Sequence, residues 1–343
     1  MDGIDAAIVR TDGETVAALG PARTVPYAPA LREAIRASLG NRDADPDIVR
    51  DLTDAHAELV LALLSENAEY KGKIELVGLH GHTIFHAPGC GATVQIGDGA
   101  RLAARTGVDV IHDFRSADVA AGGQGAPFAP LYHRALCRDL AGPVAVVNIG
   151  GISNVTWVGG PADDPVAFDT GPGNALLDDW VRSTTEEHYD VDGRISAGGA
   201  VDAAALAALL DNPYFAAPPP KSLDRLDFDT VPVRGLPAED GAATLVAFTC
   251  ETIAAAARHL PAPPVRWLAT GGGRRNPSIM AGLARRLGVP VEPVEAVGWD
   301  GDALEAQAFA FLAVRSLRGL PLSVPTTTGV PVPTTGGRLA KAG

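Results

Sequence analysis

The sequence joins its strands in two different ways, and this restricts the fold more than any other feature. An apolar run at residues 144–149 is followed by Gly150-Gly151 and a second apolar run, which predicts an antiparallel hairpin. A later run at 265–269 leads instead through Thr270-Gly271-Gly272-Gly273 into a helical stretch at about 277–287. Hairpins beside strand–loop–helix units indicate an α/β protein with sheets that are mixed, not purely parallel.

The other predicted elements alternate in the same way. Strands are expected near residues 4–9, 15–19, 74–79, 94–99 and 108–113, and helices near 28–39, 47–65, 175–181, 200–210, 241–260 and 302–317. His56 lies on an apolar stripe of the second helix, which is more typical of a hydrogen-bonded core residue than of a ligand. The Thr/Pro/Gly-rich tail at 323–343 is predicted to be irregular.

Composition excludes several classes of protein. The chain has 343 residues, 46% of them hydrophobic, which is enough for two domains with sizeable cores. Its net charge of −13 argues against a broad nucleic-acid surface. Cys90, Cys137 and Cys250 lie far apart, which is typical of reduced thiols in a cytoplasmic protein. No apolar stretch approaches the ~20 residues of a membrane span, and the first residues do not resemble a signal peptide.

Four segments carry residues suited to chemistry, and each has a purely structural alternative. Phe168-Asp169-Thr170-Gly171-Pro172-Gly173-Asn174 places one carboxylate before an open turn, as a general base requires, unless it forms an Asx turn. The glycines at 150–151 and 271–273 suit an anion bound by backbone N–H groups, unless they only form turns. Asp302 and Glu305 have capping-box spacing, or else Glu305 supplies a second carboxylate.

Two further clusters contain charged or metal-binding residue types. Arg115, in the triplet Asp113-Phe114-Arg115, suits bidentate binding of a carboxylate or phosphate, unless it forms a surface ion pair. His80, His82 and His86 have a spacing that suggests a metal, but no neighbouring Cys or carboxylate completes the site. We therefore predict no structural metal.

In this order the segments resemble the anhydro-N-acetylmuramic acid kinases of bacterial cell-wall recycling. The resemblance spans residues 1 to about 321, and its most specific stretches are DFRSADVAAGGQGAPFAP from Asp113 and FDTGPGNALLDDW from Phe168. It implies an α/β fold of two actin- and hexokinase-like (ribonuclease-H-like) domains with mixed sheets that flank a cleft. The first domain would comprise residues 1–118 and 308–343, and the second residues 119–307.

The resemblance also implies a reaction. 1,6-Anhydro-N-acetylmuramate, ATP and water would give N-acetylmuramate 6-phosphate and ADP, in peptidoglycan recycling and amino-sugar catabolism. Water would open the anhydro bridge at C1, and the freed O6 would accept the γ-phosphoryl group. Mg²⁺ is expected with ATP, because the charge on the phosphate oxygens must be neutralised. The family suggests a homodimer, and neither a nucleic acid nor a membrane is expected as a partner.

Roles follow for the residues that match the family. Asp169 matches the base that activates water, and Glu305 matches a second acid in the sugar site. The residues expected to bind the sugar are His80, Arg115, Asp118, Gly123 and Gln124. Those expected to bind ATP are Asp2, Gly3, Asp5, Asn148, Gly150, Gly151, Gly271, Gly272 and Gly273.

Three departures from the family pattern affect this expected site. A strand ending in Gly-Thr-Ser usually precedes the Asp-Gly-Ile-Asp-Ala stretch, whereas Met1 stands within that motif here, which suggests a misplaced start codon. Lys221-Ser222-Leu223-Asp224-Arg225 replaces the usual Lys-Ser-Thr-Gly-Arg, and His82 replaces a Gln. Another sugar kinase of the superfamily, or a non-catalytic sugar-binding relative, is the alternative interpretation.

Overall fold

The computed structural model of the protein describes residues 3–223 and 227–343. Asp2, which the sequence assigns to the ATP site, lies outside the described residues, and so do Asp224 and Arg225. Within the described residues, every helix is too short or too polar to span a bilayer.

The chain divides into two compact units. Unit 1 consists of Met1–Leu136 and Ala303–Gly343, and unit 2 consists of Cys137–Asp302. The functional domains expected from the sequence, with boundaries after residues 118 and 307, stay a prediction.

Strands and helices alternate along the described chain. The strands are β1 Gly3–Thr11, β2 Val16–Pro26, β3 Val77–Leu79, β4 His82–Ala87, β5 Ala92–Ile96, β6 Val110–His112, β7 Val144–Ile149, β8 Ile152–Val158, β9 Val166–Pro172, β10 Arg266–Thr270, β11 Val291–Pro293 and β12 Arg338–Ala340. The α-helices are α1 Pro29–Ala37, α2 Pro46–Glu66, α3 Gly99–Thr106, α4 Ser116–Ala120, α5 Pro130–Leu136, α6 Ala175–Thr184, α7 Arg194–Ala197, α8 Ala203–Leu210, α9 Ala238–Ala256, α10 Pro277–Leu287, α11 Leu304–Leu317 and α12 Pro325–Thr328.

Unit 1 is built from small sheets covered by helices. β1 and β2 form an antiparallel ribbon, and β4 and β5 form a hairpin. β3 pairs in parallel with β6, which pairs antiparallel with β12. On α2 the predicted apolar stripe is buried, including Leu52, Leu59 and Leu63. His56 Nδ1 lies 2.7 Å from the Leu52 carbonyl, so this residue is hydrogen-bonded as predicted.

The C-terminal tail is irregular over most of its length, as predicted, but it also has two short elements that were not predicted. It contains α12 and β12, and β12 adds an edge strand to the sheet of unit 1. Val324 is buried, and Thr328 Oγ1 donates a hydrogen bond to Asp118 Oδ2 at 2.6 Å. The sequence of the tail did not predict α12 and β12, because they are stabilised by contacts with residues distant in sequence and not by a periodicity of their own.

A cavity of about 1060 Å³ lies within unit 1. It is lined by residues of β1, β3, α2 and α11, together with His80. Among the described residues, β1 pairs only with β2 and β3 pairs only with β6. Both strands that line the cavity therefore have one edge without a strand partner.

Unit 2 contains one five-stranded sheet in the order β11-β10-β7-β8-β9. β7 is parallel to β10 and antiparallel to β8, which is antiparallel to β9, so the sheet is mixed as predicted. Phe168 and Trp267 of the sheet pack with Phe248 of α9 in a fully buried core. The carboxyl ends of β7, β9 and β10 consequently lie along one edge of the sheet, beside the β7–β8 turn.

Candidate active site

Asp169 lies near the carboxyl end of β9, at this edge of unit 2. Asn154 is paired with Asp169, but the next pair joins Ser153 to Gly171, so Thr170 is an extra residue in β9. A bulge of this kind bends a strand and redirects the side chains next to it. Asp169 is half-buried.

Three hydrogen bonds hold Asp169. Its N–H donates to the Lys221 carbonyl at 3.1 Å, and its Oδ2 accepts from the Leu223 N–H at 2.9 Å. Its carbonyl accepts from the Tyr214 hydroxyl at 2.6 Å. Within the described residues, the carboxylate therefore bonds to a distant segment and does not form the Asx turn that the sequence left open.

Burial governs the acidity of this carboxyl. It raises the pKa of Asp169 to about 6, and the hydrogen bond from the Leu223 N–H acts in the opposite direction. At neutral pH the group is therefore mostly ionised and still has an appreciable affinity for a proton. This is the combination that a general base needs.

The turn after Asp169 is bonded to the β7–β8 turn. The Gly173 N–H donates to the Gly151 carbonyl at 2.9 Å, and the Asn174 N–H donates to the Gly150 carbonyl at 2.7 Å. A Cβ on Gly173 would lie only 2.2 Å from the Gly150 oxygen, so the contact requires glycine. The two turns thus form one rigid structure beside Asp169.

The loop after β10 joins the same structure. β10 and β7 are paired so that Thr270 lies opposite Asn148. Gly271 has a φ of +73°, and a Cβ there would lie 2.3 Å from Asn148 Oδ1. A Cβ on Gly273 would lie 2.3 Å from Ile149 Cγ2. The unit 2 residues predicted to bind ATP are thereby brought together: Asn148, Gly150, Gly151, Gly271, Gly272 and Gly273.

Gly151 and Gly272 are not required by the packing of the protein. A Cβ on Gly151 would come no closer than 3.7 Å to another atom, and one on Gly272 no closer than 3.6 Å. Both residues are exposed, and neither has a positive φ. The two glycines thus line a cradle that added side chains would narrow, and this fits the close approach of a phosphate group to backbone N–H groups.

Arg115 is the centre of the predicted sugar-site residues in unit 1. Its Nε donates to His80 Nε2 at 3.0 Å, and its Nη1 donates to the Gly125 carbonyl at 2.5 Å. The guanidinium lies over the rings of Phe128 and Phe309, 5.3 and 5.8 Å from their centroids. Within the described residues Arg115 has no carboxylate within ion-pair distance, so the surface ion pair that the sequence left open is not formed.

The same surroundings determine that the His80 ring is neutral and which of its nitrogens carries the proton. Burial holds the pKa of His80 well below its usual range, and the charge of Arg115 lowers it further. Because Nε2 accepts from Arg115, the neutral ring carries its proton on Nδ1. The His80 ring is also stacked on Phe309, with 4.2 Å between centroids.

Asp118 shapes the glycine segment next to Arg115. It is 1% exposed, and its Oδ1 accepts from the Gly125 N–H at 2.7 Å. A Cβ on Gly123 would lie 2.2 Å from the same oxygen. The Gln124 N–H donates to the Thr328 carbonyl at 2.7 Å. Both Asp118 carboxylate oxygens are used within the protein, so this residue holds the loop in place.

Glu305 lies in the first turn of α11 and lines the cavity of unit 1. The capping box that the sequence left open is not formed, because Ala303 is the N-cap and Asp302 pairs with Arg274 at 3.0 Å. The Glu305 side chain is exposed in this cavity, and the protein atoms around it still desolvate the carboxyl. Burial raises its pKa, whereas the charge of Arg115 lowers it.

Gly3 and Asp5 both belong to β1 in unit 1. A Cβ on Gly3 would lie 2.3 Å from the Val25 carbonyl oxygen, so pairing with β2 accounts for this glycine. Asp5 lines the cavity, and its Oδ1 accepts from Thr24 Oγ1 at 2.5 Å. These two predicted ATP contacts are thus part of the ribbon that borders the cavity.

No cluster of three or more His, Cys, Asp or Glu side chains suited to a metal occurs in the described part of the chain. His86 Nδ1 lies 3.0 Å from Thr93 Oγ1.

Comparison with known proteins identifies the family. A ROK family glucokinase from Streptomyces griseus, solved with glucose and AMPPNP, has a TM-score of 0.43 at 13% identity, covering 90% of this chain and 95% of that one. The family model for anhydro-N-acetylmuramic acid kinase matches residues 1–341. The kinase of that name from Rhodospirillum rubrum is 57% identical over 98% of this chain and 90% of its own length. The one from Paramagnetospirillum magneticum is 55% identical over 98% and 96%. The chain therefore belongs to the anhydro-N-acetylmuramic acid kinase family.

Proposed function

We propose that the protein opens 1,6-anhydro-N-acetylmuramate with water and phosphorylates the freed O6 from ATP, giving N-acetylmuramate 6-phosphate and ADP. The observation that carries this proposal is the half-buried Asp169, whose raised pKa suits a base, beside two glycine loops in a chain of this family. The reaction serves peptidoglycan recycling and amino-sugar catabolism, and we place it in the cytoplasm. A homodimer is part of the proposal and is tested by sedimentation.

Asp169 acts on water in this mechanism. The water oxygen bonds to C1 while its proton passes to the Asp169 carboxylate, and the C1–O6 bond breaks. O6 then attacks the γ-phosphorus, and the bond to ADP breaks. Because the pKa of Asp169 is about 6, the carboxylate is available as a base at neutral pH.

The Arg115 cluster binds the sugar. Muramic acid carries a carboxylate, which suits a guanidinium that lies over two aromatic rings. Neutral His80 accepts from Arg115 at Nε2 and also has a main-chain hydrogen bond with Gly81, so it orients the guanidinium toward the sugar. Glu305, whose pKa is raised by burial, accepts hydrogen bonds from the sugar and the water when it is ionised and donates one when it is protonated. Asp118, Gly123 and Gln124 contribute by shaping the loop beside Arg115.

ATP phosphates are held by the loops of unit 2 that carry Asn148, Gly150–Gly151 and Gly271–Gly273. Their backbone N–H groups supply the donors, and the exposed glycines leave room for close approach. When bound with ATP, Mg²⁺ supplies neutralisation of the phosphate charge.

Substitution of two adjacent glycines separates ligand binding from folding. Gly272→Ala should change the free energy of unfolding by less than about 0.5 kcal/mol, because the Cβ has space. It should still weaken ATP binding about tenfold or more, because the methyl group enters the cradle. Gly271→Ala should destabilise the fold by about 2 kcal/mol or more, because of its positive φ and the clash with Asn148. Calorimetric ATP titration and urea unfolding measure both effects, and wild-type ATP affinity in Gly272→Ala would contradict the cradle.

The reaction itself is tested by following ADP release with a panel of sugars. Release should depend on 1,6-anhydro-N-acetylmuramate, and mass spectrometry of the product should find one added water and one phosphoryl group. N-Acetylmuramate and N-acetylglucosamine are the matched controls. Phosphorylation of a simple hexose with no reaction of the anhydro sugar would instead indicate another kinase of the superfamily, and sugar binding without turnover would indicate a binding protein.

A further inference from the structure

One segment of unit 2 contacts Asp169 at three of its atoms. We infer that Tyr214, Lys221 and Leu223 form a clamp that positions Asp169 for proton removal from water. The inference rests on the proposed function, in which Asp169 is the base. These three residues are positioning residues, because they act through Asp169 and not on the substrate.

The geometry of the Asp169 clamp restrains both the main chain and the carboxylate. The Lys221 carbonyl and the Tyr214 hydroxyl bond to the Asp169 N–H and carbonyl, and the Leu223 N–H bonds to Oδ2. The Leu223 N–H therefore fixes Oδ2, and in this proposal Oδ1 is the oxygen that takes the proton from water. A base held in this way keeps its orientation without any rearrangement during the reaction.

The clamp is also bonded to itself. Lys221 Nζ donates to the Tyr214 carbonyl at 2.9 Å and lies 4.5 Å from the centroid of the Tyr214 ring. It also lies 5.7 Å from the centroid of the Phe168 ring, next to Asp169 in β9. The Tyr214 and Lys221 contacts with Asp169 therefore support each other, and the loss of one weakens the other.

Several titratable groups surround Asp169. Tyr214 and Lys221 belong to the clamp, and burial raises the pKa of Tyr214 and lowers that of Lys221 to about 8. Arg258 and His259 follow α9, and the His259 ring lies 5.9 Å from that of Phe168. Burial lowers the pKa of His259, and a test of the clamp must leave this histidine unchanged.

Leu223 offers a matched pair of substitutions that meets this condition. Leu223→Pro removes the N–H that bonds to Oδ2, whereas Leu223→Ala keeps it and loses the side chain. Without this donor the ionised carboxylate is less stable, so the pKa of Asp169 should rise by about one unit in Leu223→Pro alone. Carboxyl ¹³C NMR, with the Asp169 signal identified by its loss in Asp169→Asn, measures this pKa without any turnover.

The kinetic readout is the pH profile of kcat/KM for the anhydro sugar. Its acid limb should move up by about one pH unit in Leu223→Pro and stay in place in Leu223→Ala. Tyr214→Phe, which loses only a hydroxyl group, should lower kcat about tenfold with little change in KM, and it tests the clamp even if Leu223→Pro does not fold.

The outcomes separate the clamp from the proposed function. An equal pKa of Asp169 in Leu223→Pro and Leu223→Ala, or wild-type kcat in Tyr214→Phe, would overturn the clamp and leave the reaction intact. Wild-type protein that releases no ADP with the anhydro sugar overturns the proposed reaction. The NMR measurement still decides in that case whether this segment controls the carboxyl of Asp169.

Discussion

Asp169→Asn should lower kcat for the anhydro sugar by about 10³-fold, within the range of about 10²- to 10⁴-fold for loss of a general base. The amide cannot accept the proton from water, but its oxygen can still accept the hydrogen bond from the Leu223 N–H. KM for both substrates should change little, since the proposed contacts with ATP and sugar are made by other residues. Steady-state ADP release measures both constants. Near-normal turnover by this variant would show that the base has been assigned to the wrong residue.

The same variant should be more stable than the wild type at neutral pH. The folded-state pKa of Asp169 is about 6, against 3.8 for an ordinary Asp, so the folded protein binds this proton more tightly than the unfolded chain. Its contribution to stability is therefore present below about pH 4 and is lost as the pH rises to about 6. The difference corresponds to roughly 3 kcal/mol. Because asparagine does not ionise, Asp169→Asn should have a higher free energy of unfolding than the wild type at pH 7.5. At pH 4 the two free energies should be equal.

Urea unfolding at these two pH values measures the difference. Asp211→Asn is the control, because Asp211 is an exposed carboxylate of the same unit. Asp211→Asn should not show the gain in stability at pH 7.5 that is expected of Asp169→Asn. A gain in stability for Asp169→Asn that is the same at pH 4 and pH 7.5 would show that ionisation of Asp169 is not its cause.

The local pattern of the sequence predicts most elements and the ATP loops. The hairpin at Gly150-Gly151 and α10 at Pro277–Leu287 were predicted closely, because turn glycines and helix periodicity act over a few residues. The sequence also predicted that Asn148 and Gly271 share a site, and they meet because β7 and β10 are parallel neighbours. The edge that these two loops share follows from the topology of the sheet. The short-range patterns predicted the loops, and the family resemblance placed both in one ATP site.

Contacts between distant parts of the chain were not predicted. Tyr214 bonds to Asp169 across 45 positions, and Thr328 bonds to Asp118 across 210. A tyrosine in a loop and a threonine in a Thr-rich tail carry no periodic signal, so only the folded chain shows their partners. The family pattern drew attention to Lys221 and Ser222, but it did not indicate that this segment contacts the base.

Arg115→Met should weaken sugar binding about 100-fold or more while ATP binding stays unchanged. The substitution removes the cation proposed to bind the sugar carboxylate, but it keeps an unbranched side chain against Phe128 and Phe309. His80 Nε2 and the Gly125 carbonyl lose their donor. Unfolding should become easier by about 2–4 kcal/mol, since buried polar groups are left unpaired.

Separate calorimetric titrations with the anhydro sugar and with ATP distinguish this loss from general damage to the protein. The matched control is Arg338→Met, because Arg338 is an exposed cation of unit 1 that pairs with Asp113 at 3.0 Å. A surface pair of this kind contributes at most about 1 kcal/mol, so both affinities should stay at wild-type values. Removal of the Arg115 charge should also raise the pKa of Glu305 further, because that charge is what lowers it. If Arg115→Met binds the anhydro sugar as tightly as Arg338→Met does, the sugar carboxylate is bound elsewhere, and Arg115 serves only to hold His80 and the Gly125 loop in place.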